Sequence, residues 1–321
     1  MARVRWYEAA ALANAVLVAG LIVGRSGVAF DVLASVRAQL PMLGVSAALL
    51  AAGVGLRALR VAAGRGASRS RLYLSRIASR RSLSDLARFA AAFTLVAYGY
   101  SWLKVFVPRL HATVFDPALA VLDQLLHFGL NPNRFAVELF PYPGLFRFLD
   151  LYYAQFFATL LFAIAWFGSA LSIRERTRFA AGLAVLWIGG AWWYLATPSL
   201  GPCYVFPADT AAAQPHLPLQ AGTQRLLFDQ YRALTGGRPE GKPLVLNAAF
   251  GIGAMPSLHV AAQAFVAFFA RRRYPWIGFL FALFTALTFF GSLVTGWHYA
   301  VDGYAGILLA WVAYRAGLRS A

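Results

Sequence analysis

Residues 251–303 read GIGAMPSLHVAAQAFVAFFARRRYPWIGFLFALFTALTFFGSLVTGWHYAVDG. Two apolar runs, Met255 to Ala270 and Pro275 to Val294, are separated by three arginines and a tyrosine. That is the pattern of a helical hairpin that crosses a membrane twice and turns in water. Outward from the hairpin the same alternation recurs at Tyr7 to Val23, Leu40 to Gly55, Leu86 to Val107, Leu149 to Leu171, Phe179 to Leu195 and Asp302 to Gly317. Together these predict an all-α polytopic membrane protein of about eight transmembrane helices. Composition agrees, since 60% of the 321 residues are hydrophobic and 13% are charged, whereas roughly a quarter of a soluble domain is charged. The first run is read as a span and not as a signal peptide, because no small-x-small cleavage site follows it. Cys203 is the single cysteine, so no internal disulfide is expected.

The chain carries 29 Lys+Arg against 12 Asp+Glu, a net charge of +17, which in a soluble protein would suggest nucleic acid. Its distribution points elsewhere. Nineteen cations fall at Arg3 and Arg5, in Arg57 to Arg88, at Arg174 to Arg178, at Arg271 to Arg273 and at Arg315 with Arg319, beside only three acids, Glu8, Asp85 and Glu175. The opposite face holds ten cations and nine acids. By the positive-inside rule the first face and both termini are cytoplasmic. A bacterial inner membrane is the expected location, and no nucleic-acid partner is expected. The Arg-rich connector after Arg57 reads as an orientation determinant held against anionic headgroups.

Residues 115–132, FDPALAVLDQLLHFGLNP, place apolar side chains at helical spacing and predict an amphipathic helix at the outer interface. The loop from Pro198 to Gly253, rich in Pro, Gly and polar residues, then leads into GAMPSLHV. Pro256 suits the first turn of a helix, which sets His259 in the opening turn of a span, where free backbone N–H groups favour an anion such as phosphate. At the outer end of the next span, His298 and Asp302 are four residues apart and share a face if a helix begins near Trp297. A carboxylate that accepts a hydrogen bond from one imidazole nitrogen orients the ring and leaves the other as a nucleophile, and a second histidine can serve as general acid. A lone histidine near a membrane interface is ordinarily a packed residue. Two at the outer ends of spans, one with an aspartate a turn away, point to a shared site. Zinc is the chemical rival, although no further good ligand lies in these segments, so no metal is expected. A proton relay in a transporter is the rival of another class.

The segments GAMPSLHV (253–260) and GWHYAVDGYAG (296–306) resemble the second and third signature motifs of the type 2 phosphatidic acid phosphatase superfamily. Residues 115–132, LDLYYAQFF (149–157) and YLATPSLGPCYVFP (194–207) resemble its inositol phosphorylceramide synthase-like branch. The resemblance runs from Ser84 to Arg319. It implies a six-helix phosphotransferase core in 84–321, preceded in 1–83 by two extra helices and their Arg-rich connector. It implies that His298 forms a phosphohistidine, that Asp302 orients His298, and that His259 protonates the leaving group. Ser257 would help hold the phosphate, and no cofactor is implied. The substrate would be a lipid phosphate, resolved by a hydroxyl acceptor, which makes a transferase, or by water, which makes a phosphatase.

One motif departs from the family pattern, a lysine followed seven positions later by Arg-Pro. Arg238-Pro239 is present, but Tyr231 stands where the lysine belongs, and GPCY closes the preceding helix. Substitute phosphate ligands are expected among Arg225, Arg232, Arg238, Lys242, Arg147 and Tyr204, all on the outer face.

Overall fold

The computed structural model describes residues 4–27, 33, 37, 40–236 and 245–320, and the regular structure among them is entirely helical. In chain order the α-helices are α1 (Trp6–Arg25), α2 (Leu40–Arg65), α3 (Ala67–Ile77), α4 (Arg80–Leu110), α5 (Asp116–Leu126), α6 (Pro132–Leu139) and α7 (Pro143–Ala154). They continue with α8 (Phe156–Gly168), α9 (Ile173–Ala196), α10 (Pro202–Val205), α11 (Pro218–Thr235), α12 (Leu258–Ala270), α13 (Pro275–Thr295) and α14 (Ala300–Arg319). Their starts follow local chemistry. Proline opens α6, α7, α11 and α13, where its missing N–H costs nothing. The Ser79, Ser172 and Ser257 hydroxyls accept amides at the starts of α4, α9 and α12.

Every apolar run falls on a helix or a bent pair. By length and hydropathy α1, α4, α9 and α13 can each cross a membrane, and α7 with α8, bent by 42°, forms a broken span or a re-entrant loop. The run at Leu149 to Leu171 is therefore not one straight helix. The Gln155 amide bonds back to the Tyr152 carbonyl at 3.0 Å, a three-residue step that tightens the turn and redirects the chain. α4 runs three residues past its expected end at Val107, through Pro108.

α4 packs along α1 and α9, α9 along α14, and α12 between α13 and α14, while α2 lies on α8. The core joins Phe167, Phe179, Leu183, Ala261, Phe265, Phe281, Ala310 and Ala313. Small residues bring the backbones close, as in other membrane bundles. A Cβ on Gly306 would lie 2.4 Å from the Ser257 carbonyl oxygen, so only glycine lets α14 meet the start of α12. Gly306→Ala is expected to cost about 1–3 kcal/mol, read as a lower melting temperature in detergent. Gly20→Ala, with nothing within 4 Å of the added carbon, is the neutral control.

One end of the bundle is ionic. Asp85 pairs with Arg5 and, at 3.0 Å, with the buried Arg176; Glu8 pairs with Arg88 and Glu175 with Arg273, both at 2.5 Å. All three acids expected on the basic face are thus neutralised by arginines. The α12–α13 turn, Arg271 to Arg273, belongs to this end, so the start of α12 lies at the other.

α5 inverts the usual amphipathic arrangement. Its buried face carries Asp116, Leu119 and Asp123, whereas Val121, Leu122, Leu125 and Leu126 point outward, and Phe128 just beyond is 99% exposed. Such a helix buries its polar face in protein and offers its apolar face to lipid, in keeping with an interfacial position.

Candidate active site

The start of α12, the end of α13 and the start of α14 converge at the end of the bundle opposite the ion pairs. α13 stops at Gly296, whose φ of 72° is the left-handed conformation that favours glycine. Tyr299 is extended and precedes α14, so His298 lies in the intervening turn and not on the helix. The expectation that His298 and Asp302 share a helical face is corrected here: they meet across the helix cap. Asn133 fixes that turn by donating to the Leu293 and His298 carbonyls, both at 3.0 Å. Asp123 accepts the Ala300 and Val301 amides at 2.7 and 2.8 Å, capping α14 from α5. Burial pushes the Asp123 carboxyl up, against the pull of these two amides.

Asp302 occupies the third position of α14. Its Oδ2 accepts the Tyr299 amide at 3.0 Å and lies 3.4 Å from His298 Nδ1. His298 Nε2 lies 3.5 Å from His259 Nδ1. One imidazole thus stands between a carboxylate and a second imidazole. Exposure is graded across the three, with Asp302 at 0%, His298 at 2% and His259 partly open. The His259 ring packs against Phe156 and Tyr153, at 4.4 and 5.1 Å between centroids, so both sides of the break at Gln155 contribute to its seat.

Ser257 is fully buried and caps α12 through Val260, and its amide donates to the Asp302 carbonyl at 2.9 Å, tying the two motifs together. Pro256 stands before this cap and not within the first turn. The Tyr204 hydroxyl donates to the Gln224 carbonyl at 3.0 Å and its ring stacks on Phe228, so its proton is engaged by the loop and not offered to the histidines. Arg238 and Lys242 lie outside the described residues. Arg147, Arg225 and Arg232 are exposed. No group of three or more His, Cys, Asp or Glu among the described residues is arranged to hold a metal ion.

Several contributors were not expected. Asp116 accepts the Leu200 and Gly201 amides at 2.9 and 2.8 Å and the Tyr299 hydroxyl at 3.0 Å, joining GPCY to the His298 turn. Burial, with Asp116 beside it, holds the Tyr299 phenol well above its ordinary range, so it donates as a neutral group. Lys104, in the last two turns of α4, interacts electrostatically with His259. Its stem runs beneath the loop that enters α12, where a Cβ on Gly253 would meet Lys104 Cε at 3.3 Å. Its Nζ lies 5.2 and 5.9 Å from the Tyr194 and Tyr100 ring centroids. A lysine interrupting an apolar run was the signal available in the sequence, since an intramembrane cation is costly without a purpose.

A bundle of membrane helices whose ends gather two histidines and a buried carboxylate has the architecture of a polytopic membrane enzyme. A family model described as the PAP2 superfamily matches residues 117–316, and the chain belongs to that superfamily, the type 2 phosphatidic acid phosphatases. It is therefore a membrane enzyme of the lipid phosphatase or phosphotransferase type. The match contains His259, His298 and Asp302 and begins within α5, leaving α1 to α4 outside it. No curated protein and no solved structure matches the chain.

Proposed function

We propose that this enzyme transfers a phospho-group from a phospholipid to a hydroxyl acceptor through a phosphohistidine on His298. The observation that carries this reading is the polarity of the His298 ring, with Nδ1 at 3.4 Å from Asp302 and Nε2 at 3.5 Å from His259. Asp302 faces the Nδ1–H, holds the ring in that tautomer and leaves the Nε2 lone pair free. Nε2 attacks phosphorus, the bond to the leaving oxygen breaks, and His259 in its protonated form gives that oxygen its proton. His259, now neutral, then takes the acceptor's hydroxyl proton. The new oxygen displaces His298 from phosphorus, and both histidines return to their first state.

Burial of His298 and Asp302 favours an organic acceptor over bulk water. The branch-like segments support the same choice, because Asp116, Asp123, Tyr153 and Phe156 all come from them and all line or brace the site. Hydrolysis is the second outcome of the same machinery. The arginine-rich ends support an extracytoplasmic position for the His pair, with both termini cytoplasmic.

The test is a rapid acid–base quench of purified enzyme with lipid labelled at phosphorus. An acid-labile, alkali-stable phosphoprotein is expected; a transporter reading predicts none, and its absence would sink the proposal. His259 has its own signature. His259→Gln is expected to lose roughly 10²- to 10⁴-fold in turnover of a lipid with an alcohol leaving group. An analogue that releases nitrophenolate needs no proton and is expected to recover most of the loss. Equal losses on both substrates would remove His259 from the acid's role.

A further inference from the structure

We infer that Lys104, with the Tyr153 hydroxyl, is the phosphate-holding pair of this active site, and that the single net positive charge of the site selects a singly charged phosphodiester. This rests on the phosphotransfer reading above.

Lys104 is the one ammonium brought to the His pair among the described residues, and no salt bridge engages it there. It is held from below by Tyr100 and Tyr194, whose ring faces attract a cation without neutralising it. A Cβ on Gly253 would meet the Tyr194 ring at 3.1 Å as well as Lys104 Cε at 3.3 Å, so the lysine stem, Tyr194 and the entry to α12 are neighbours. The Tyr153 ring sits against His259, and its hydroxyl is buried without a hydrogen-bond partner among the described residues. Leaving such a hydroxyl unpaired is costly. An uncompensated ammonium and an unpaired phenol flanking one imidazole are both answered by an anion with acceptor oxygens.

Charge counting narrows that anion. In a low-dielectric site a complex of zero net charge avoids the large penalty of burying an unpaired ion. In the state from which the proposed transfer starts, with His259 as the proton donor, Lys104 and His259 are cations and Asp302 is an anion. One negative charge on the substrate closes the balance. A diester phosphate carries one, whereas a monoester carries close to two at neutral pH.

The experiment uses the purified full chain in mixed micelles, with orthovanadate as the probe and thermal unfolding as the readout. Wild type is expected to be stabilised by vanadate. Lys104→Met is expected to bind it roughly 10- to 100-fold more weakly, and Tyr153→Phe about tenfold more weakly, with an unliganded melting temperature no lower than wild type, since only an unpaired hydroxyl is lost. Lys104→Arg, which keeps the charge, is expected to retain binding. Short-chain phosphatidylglycerol, a diester, is expected to displace vanadate at lower concentration than short-chain phosphatidic acid, a monoester. Folded Lys104→Met and Tyr153→Phe proteins that bind vanadate like wild type would overturn the assignment while leaving the phosphohistidine intact. Stronger displacement by phosphatidic acid would overturn the charge selection. Wild type that neither binds vanadate nor forms a phosphoprotein would instead remove the functional reading itself.

Discussion

His298→Ala is expected to lower turnover by on the order of 10⁴-fold or more and to eliminate the labelled phosphoprotein, because a covalent route cannot proceed without its nucleophile. The loss is expected to be chemical and not structural. The turn carrying residue 298 is held through main-chain atoms: the residue 298 amide reaches the Ser292 carbonyl at 3.4 Å, and its carbonyl accepts from Asn133 at 3.0 Å. Alanine keeps both bonds. Asp302 also keeps its bond from the Tyr299 amide. Circular dichroism and melting temperature should therefore stay close to wild type while turnover collapses. Turnover within tenfold of wild type would show that phosphorus is not attacked by this residue.

Asp302→Asn is expected to cost roughly 10³- to 10⁴-fold, by analogy with other carboxylate-to-amide changes behind a catalytic imidazole. The geometry gives the reason. The Oδ2 position meets both the Tyr299 amide and His298 Nδ1, so an asparagine with its carbonyl oxygen there keeps the cap on α14 but faces Nδ1 with a neutral oxygen. The anion that fixes the Nδ1 proton is lost. The tautomer protonated on Nε2, which has no lone pair to attack phosphorus, then gains population. The expected pattern is a large fall in kcat with little change in KM and a nearly unchanged melting temperature. A loss confined to KM would place Asp302 in substrate binding instead.

The apolar runs, the arginine-rich turns and the spacing of His259, His298 and Asp302 were legible in the sequence because each is local. Hydropathy finds a helix by its own residues, and a histidine at a helix end is visible without knowing its neighbours. What escaped was long-range or directional. Lys104 lies 155 positions before His259, and nothing local ties it to the His pair. The place of His298 outside α14 depends on Asn133 and Asp123, supplied by α6 and α5. The break at Gln155 has neither glycine nor proline to announce it. Periodicity located α5 but not the sense of its faces, since a helix at a lipid boundary can turn its apolar side outward, whereas one on a soluble core turns it inward.

That inverted helix ties the chemistry to a place. The carboxylates of Asp116 and Asp123 grip the backbone at residues 200–201 and 300–301, while the opposite side of α5 presents leucines and Phe128 outward. With those side chains seated in the acyl region, α5 works as a depth gauge. It registers the level of the leaflet and passes that level through two rigid carboxylate links to the turn carrying His298. In the proposed mechanism the bilayer surface then serves as the datum from which His298 is positioned, and a lipid headgroup meets the histidines at a set height however its tails are arranged.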